Sequence, residues 1–105
     1  MKKKILIVDD SALMRRVLRD IINSDDRFEV ADEAHDGAEG FKLIVAHNYD
    51  AVVLDVYMPR MNGLDMLREM QKSNVSANVM MASTTTSEGA RETLDALELG
   101  AIDFI

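Results

Sequence analysis

Three short apolar runs, Ile5–Val8, Val52–Leu54 and Val79–Met81, set the tightest limit on how this chain can fold. Each is continuous rather than alternating and too short for a helix, which reads as a strand buried on both faces. A strand with no wet face needs helices on both sides, and segments of helical period supply them. Leu13, Val17 and Ile21 recur at four-residue spacing with Met14, Leu18 and Ile22 beside them, giving one broad apolar stripe. Ala38, Phe41, Ile44 and Val45 repeat the pattern, then Leu64, Leu67 and Met70, then Ala90, Leu94 and Leu97. Phe28–Ala31 and Ala101–Ile105 are weaker strand candidates that suit the sheet edges. Ser11 and Asp36 stand where helices start, Thr85–Glu88 reads as a capping box, and Gly100 stands where a helix should end.

The order is β-α four times and then a fifth strand. Such alternation implies an α/β fold, a parallel sheet with helices on both faces, and in these folds the working site lies at the carboxyl ends of the strands. At 105 residues, with no linker, repeat or low-complexity tract, the chain reads as one domain over residues 1–105.

Composition removes several classes of function. The absence of cysteine excludes disulfides, thiol catalysis and Cys-ligated metal, and suits a reducing cytoplasm. A net charge of −7 argues against a nucleic-acid-binding module. Lys2 to Lys4 precede only four apolar residues, whereas a signal peptide needs roughly 7–15 and a spanning helix about 20, so no membrane segment is expected. Those lysines read as a solvated tail before a buried strand. His35 and His47 read as surface residues without a catalytic partner, and the eight methionines as gap-filling core.

The chemistry lies at the strand ends. The first strand runs into Asp9 and Asp10 and the third into Asp55. One acidic residue at a strand end is ordinary, but three converging from two central strands repel one another unless a cation or proton compensates. Hard oxygen donors with no Cys and no nearby His point to Mg²⁺. After Asp55 the loop carries Pro59, Asn62 and Gly63, residues that fix loop conformation. Ser83 ends the fourth strand, followed by Thr84, Thr85 and Thr86; one hydroxyl there could bond a phosphoryl oxygen, although such a run is ordinary in a helix-start loop.

The segments ILIVDDSALMRRVL, AVVLDVYMPRMNGLDML and VMMASTTTSEGARETLDALELGAIDFI resemble response-regulator (CheY-like) receiver domains over essentially the whole chain, most of all the N-terminal receivers of chemotaxis protein-glutamate methylesterases. The resemblance implies a flavodoxin-like, doubly wound, five-stranded parallel sheet of order 2-1-3-4-5. It makes Asp55 the phosphorylated carboxylate, Asp9 and Asp10 the acidic pair that holds Mg²⁺ together with Asp55, and the Tyr57 carbonyl a backbone ligand. Ser83 matches the switch hydroxyl and Phe104 the aromatic switch position, while Tyr57 and Thr85 occupy variable positions that tune phosphoryl lifetime. The implied partners are a sensor histidine kinase as phosphodonor and an output or effector domain, with the role regulatory rather than enzymatic.

One departure from the family pattern stands out. The lysine that usually follows the aromatic position, and the fifth helix after it, are not in this sequence, which stops at Ile105. The expectations that follow are weak coupling of phosphorylation to the switch and apolar surface on the first and fifth strands facing water, which would favour a homodimer or a poorly stable monomer. Rival readings fare worse. A haloacid-dehalogenase-type phosphatase wants an acid two positions after Asp55, where Tyr57 stands, and a nucleotide-binding turn wants glycines absent from DDSALM. A receiver-like interaction module that is not phosphorylated is the alternative that remains.

Overall fold

A computed structural model describes residues 2–55, 63–73, 78–82 and 103–104. The elements in chain order are β1 (Lys3–Val8), α1 (Ala12–Asn23), β2 (Phe28–Ala34), α2 (Gly37–Ala46), β3 (Ala51–Asp55), α3 (Gly63–Lys72), β4 (Asn78–Ala82) and β5 (Asp103–Phe104). They form one sheet of order β2-β1-β3-β4-β5, the doubly wound order expected. The first four strands are parallel: Ile5 to Val8 lie beside Ala51 to Leu54, and Val52 to Asp55 beside Val79 to Ala82. The fourth helical segment, its capping box and Gly100 lie outside the described residues.

The continuous apolar runs are buried on two sides, as their composition requires. Ile5 and Ile7 of β1 join Ala51 and Val53 of β3 against Met14, Leu18 and Ile22 of α1. Leu6, Val8, Val52 and Leu54 point the other way, to Ile44 of α2 and Met66 and Met70 of α3. Strand side chains alternate between faces, so one run of four residues feeds both cores. Caps hold where local chemistry asks for them: the Ser11 side chain accepts from Met14 N–H, and Asp36 from Glu39 N–H.

Four expectations need correction. The α1 stripe centres on Met14, Leu18 and Ile22; Val17 and Ile21 flank it, and Leu13 turns outward, 68% exposed, as does Val45 on α2 at 60%. An apolar arc wider than the contact leaves its rim wet. The first strand does not face water, since Ile5, Leu6, Ile7 and Val8 are all 0% exposed, with α1 over one side and α2 and α3 over the other. That removes the first-strand half of the reason to expect a homodimer. Lys3 and Lys4 belong to β1 and pair with Phe28 and Glu29, rather than to a tail, because a backbone ladder tolerates exposed side chains. Finally, β5 pairs with β4 in the antiparallel sense, Phe104 opposite Asn78 and Asp103 opposite Val79. A two-residue ladder satisfies the edge backbone groups in either direction, so adjacency to β4 holds while strand sense does not.

Strand β2 lies at the sheet edge, as expected, but runs on to Ala34. Its pairing with β1 slips between Val30 and Asp32, leaving Ala31 as an extra residue. The bulge breaks the two-residue period in the sequence, yet lets Asp32 and Glu33 continue the ladder.

Candidate functional site

The carboxyl end of β1 passes directly into Asp9, whose N–H still donates to the Ala34 carbonyl of β2 (3.1 Å). Its carboxylate then closes a turn. Asp9 Oδ1 accepts from Ser11 N–H (2.9 Å), and Ser11 Oγ accepts from Met14 N–H (3.2 Å), so the bend into α1 and the helix cap are made by consecutive side chains. The Arg15 guanidinium reaches back from α1 to donate to the Asp9 carbonyl oxygen (2.6 Å). Arg15 also faces Glu33 of β2 (3.7 Å), and Arg19 donates to the other Glu33 oxygen (2.8 Å).

Asp55 is the last residue of β3 and pairs with Ala82, the last of β4. Because β1 and β3 are parallel neighbours, their ends coincide in space. One carboxylate oxygen from each of Asp9, Asp10 and Asp55 lies within 4.8 Å of the others. Among the described residues this is the one cluster of three such groups. Asp9 is 1% and Asp55 8% exposed, while Asp10 is open to solvent. Two ionised groups at that separation repel by on the order of 3 kcal/mol where the effective dielectric is about 20. A hard divalent cation relieves that repulsion, and clustered oxygen donors suit Mg²⁺. The residues present therefore fit the ion.

The strand ends thus bring together the acidic trio the sequence singles out. Tyr57, Ser83 and Thr85 lie outside the described residues. The Phe104 backbone pairs with that of Asn78 at the start of β4. Both histidines are exposed: His35 contacts Glu39 (2.6 Å) and Asp36 (3.5 Å), and His47 meets the Tyr49 ring edge-on. Sequence reading misses Arg15 and Glu33. A basic residue on the first turn of a helix is too common to signal a contact with a strand end, and Glu33 lies beyond the strand the pattern shows. It also misses Tyr49, whose hydroxyl donates to Asp32 of β2 (2.6 Å). Burial first, and then the Asp32 carboxylate, hold that phenol protonated well above its ordinary range.

A doubly wound sheet with an acidic cluster at the carboxyl ends of neighbouring strands defines the class. The chain belongs to the response regulator receiver domain family, whose model matches residues 5–105. It is 56% identical over 104 residues to a protein-glutamate methylesterase/protein-glutamine glutaminase of Pyrococcus horikoshii, covering 99% of this chain and 28% of that protein. Among solved structures, the response regulator domain of Thermotoga maritima CheB is 38% identical at a TM-score of 0.74, covering 95% of this chain and 74% of that one. The response regulator TrrA of Thermotoga maritima, solved in complex with Mg²⁺–BeF, is 28% identical at a TM-score of 0.74, covering 96% of each chain. The chain thus spans little more than a quarter of that methylesterase's length, and what it covers is the regulatory receiver domain. Among the described residues no helix is long and apolar enough to cross a membrane.

Proposed function

We propose that this chain is the phosphoacceptor domain of a two-component system, receiving a phosphoryl group on Asp55 with Mg²⁺ held by Asp9, Asp10, Asp55 and the Tyr57 carbonyl. The convergence of three carboxylate oxygens within 4.8 Å, at the ends of two parallel strands, carries the reading. An Asp55 carboxylate oxygen forms the new P–O bond while the donor's bond to phosphorus breaks. From a sensor kinase that bond is P–N of phosphohistidine, and the leaving imidazole takes a proton from solvent; from a small acyl phosphate it is P–O, and a carboxylate leaves. Mg²⁺, when bound, neutralises charge on the transferring oxygens. The chain's own part is positioning. Strand β3 fixes Asp55, the Ser11 N–H orients the Asp9 carboxylate, and near-complete burial of Asp9 limits its movement.

The modification adds a group of about −1.5 to −2 charge, by analogy with phosphorylated hydroxyl residues. Ser83 follows Ala82 in the chain, and Ala82 pairs with Asp55, which supports the role of Ser83 as the hydroxyl that bonds the phosphoryl oxygens. Phe104 is the proposed aromatic that responds, and an output domain reads the changed surface. The methylesterase relatives support a methylesterase domain as the output; chemotaxis is what the resemblance to their receivers implies, and the absence of cysteine suits the cytoplasm. Incubation with acetyl phosphate and Mg²⁺ should add the mass of one phosphoryl group to the chain and none to Asp55→Asn. No mass gain at saturating donor would leave the interaction module without phosphorylation as the better reading.

A further inference from the structure

We infer that Arg15 is a positioning residue for the acidic site, acting by locking the peptide plane between Asp9 and Asp10; this rests on the reading of Asp9, Asp10 and Asp55 as a cation and phosphoryl site. The peptide unit is planar, so fixing its carbonyl oxygen fixes the direction in which the next residue leaves the strand. Arg15 Nη1 donates to that oxygen at 2.6 Å. The lock is braced from outside, because Glu33 faces Arg15 Nε at 3.7 Å and is itself held by Arg19 at 2.8 Å. Asp9 is also tied on its other sides, with its N–H on the Ala34 carbonyl and its Oδ1 on Ser11 N–H. Asp10 has an exposed side chain and follows the locked plane directly, so Arg15 bears most on where the Asp10 carboxylate points. A guanidinium suits the task. Its planar fork can serve Asp9 and Glu33 together.

The test is Mg²⁺ titration by calorimetry on the unphosphorylated chain for wild type, Arg15→Gln, Arg15→Lys and Glu33→Gln, with thermal melts and the Ser11 amide NMR shift. Arg15→Gln should weaken Mg²⁺ by about tenfold, the usual scale for a residue that orients a metal ligand, and should move the Ser11 amide while the fold persists. Glu33→Gln should weaken it less, and Arg15→Lys should recover only part, since an ammonium lacks the rigid, spaced donors with which the guanidinium meets Asp9 and Glu33. An affinity for Arg15→Gln within about twofold of wild type would overturn the inference. Full recovery in Arg15→Lys would overturn the bridging role in favour of charge alone. Should Arg15→Gln not fold, unchanged affinity in both other variants overturns the inference equally. If wild type itself fails to bind Mg²⁺, the cation reading falls, and the Arg15 role with it.

Discussion

Gly40 of α2 packs against Val8 of β1 so closely that a Cβ built there would lie 2.9 Å from Val8 Cγ2, with Met66 Sδ at 3.2 Å. Alanine would gain about 1 kcal/mol in helix propensity, but overpacking of this kind typically costs about 1–3 kcal/mol. Overpacking should win: Gly40→Ala should be net destabilised by about 1 kcal/mol in urea unfolding. Because Val8 immediately precedes Asp9, its Mg²⁺ affinity should also fall. A variant more stable than wild type would show that α2 can simply shift.

The acidic cluster predicts opposite responses to charge removal and to metal. In metal-free buffer Asp55→Asn should be more stable than wild type by about 1 kcal/mol, as one source of repulsion is gone. Mg²⁺ at about ten times its dissociation constant should stabilise wild type by about 1.4 kcal/mol and the variant by far less. Paired thermal melts with and without Mg²⁺ check both.

Ser11 separates the helix cap from the turn. Ser11→Ala removes the hydroxyl that accepts from Met14 N–H and should cost about 1 kcal/mol. The backbone N–H that holds Asp9 Oδ1 remains, so Mg²⁺ affinity should be nearly unchanged. Denaturation and calorimetry on the same sample distinguish the two effects.

Tyr49→Phe removes the donor to Asp32 and should cost about 1 kcal/mol near neutral pH. The folded-state phenol titrates above its unfolded value of about 10, so its contribution is complete below that pH. Above it the unfolded chain releases the proton first, and stability falls as pH rises toward the folded value. Wild type should therefore lose stability between neutral pH and pH about 11 more steeply than Tyr49→Phe, read from urea midpoints.

Much of this architecture is legible before folding because it depends on neighbours in the chain. Continuous runs such as Ile5–Val8, too short for a helix, read as strands buried on two sides, and Ser11 and Asp36 cap helices through bonds to residues three positions on. Legibility stops where a partner is distant. The outward turn of Leu13 depends on how much of α1 the sheet covers, the extension of β2 past Ala31 on a bulge set by β1, and the sense of β5 on its edge pairing with β4.

The site divides along the same line. Asp9, Asp10 and Asp55 read as strand-end residues because one continuous apolar run leads directly into Asp9 and Asp10 and another into Asp55. That their oxygens meet within 4.8 Å depends on β1 and β3 being adjacent and parallel, and no local preference encodes that. The grip of Arg15 on the Asp9 carbonyl, braced by Glu33, likewise exists only once α1 and β2 stand beside the end of β1. Local sequence sets which groups are present and which way each strand ends; the order of strands in the sheet sets which of them can touch.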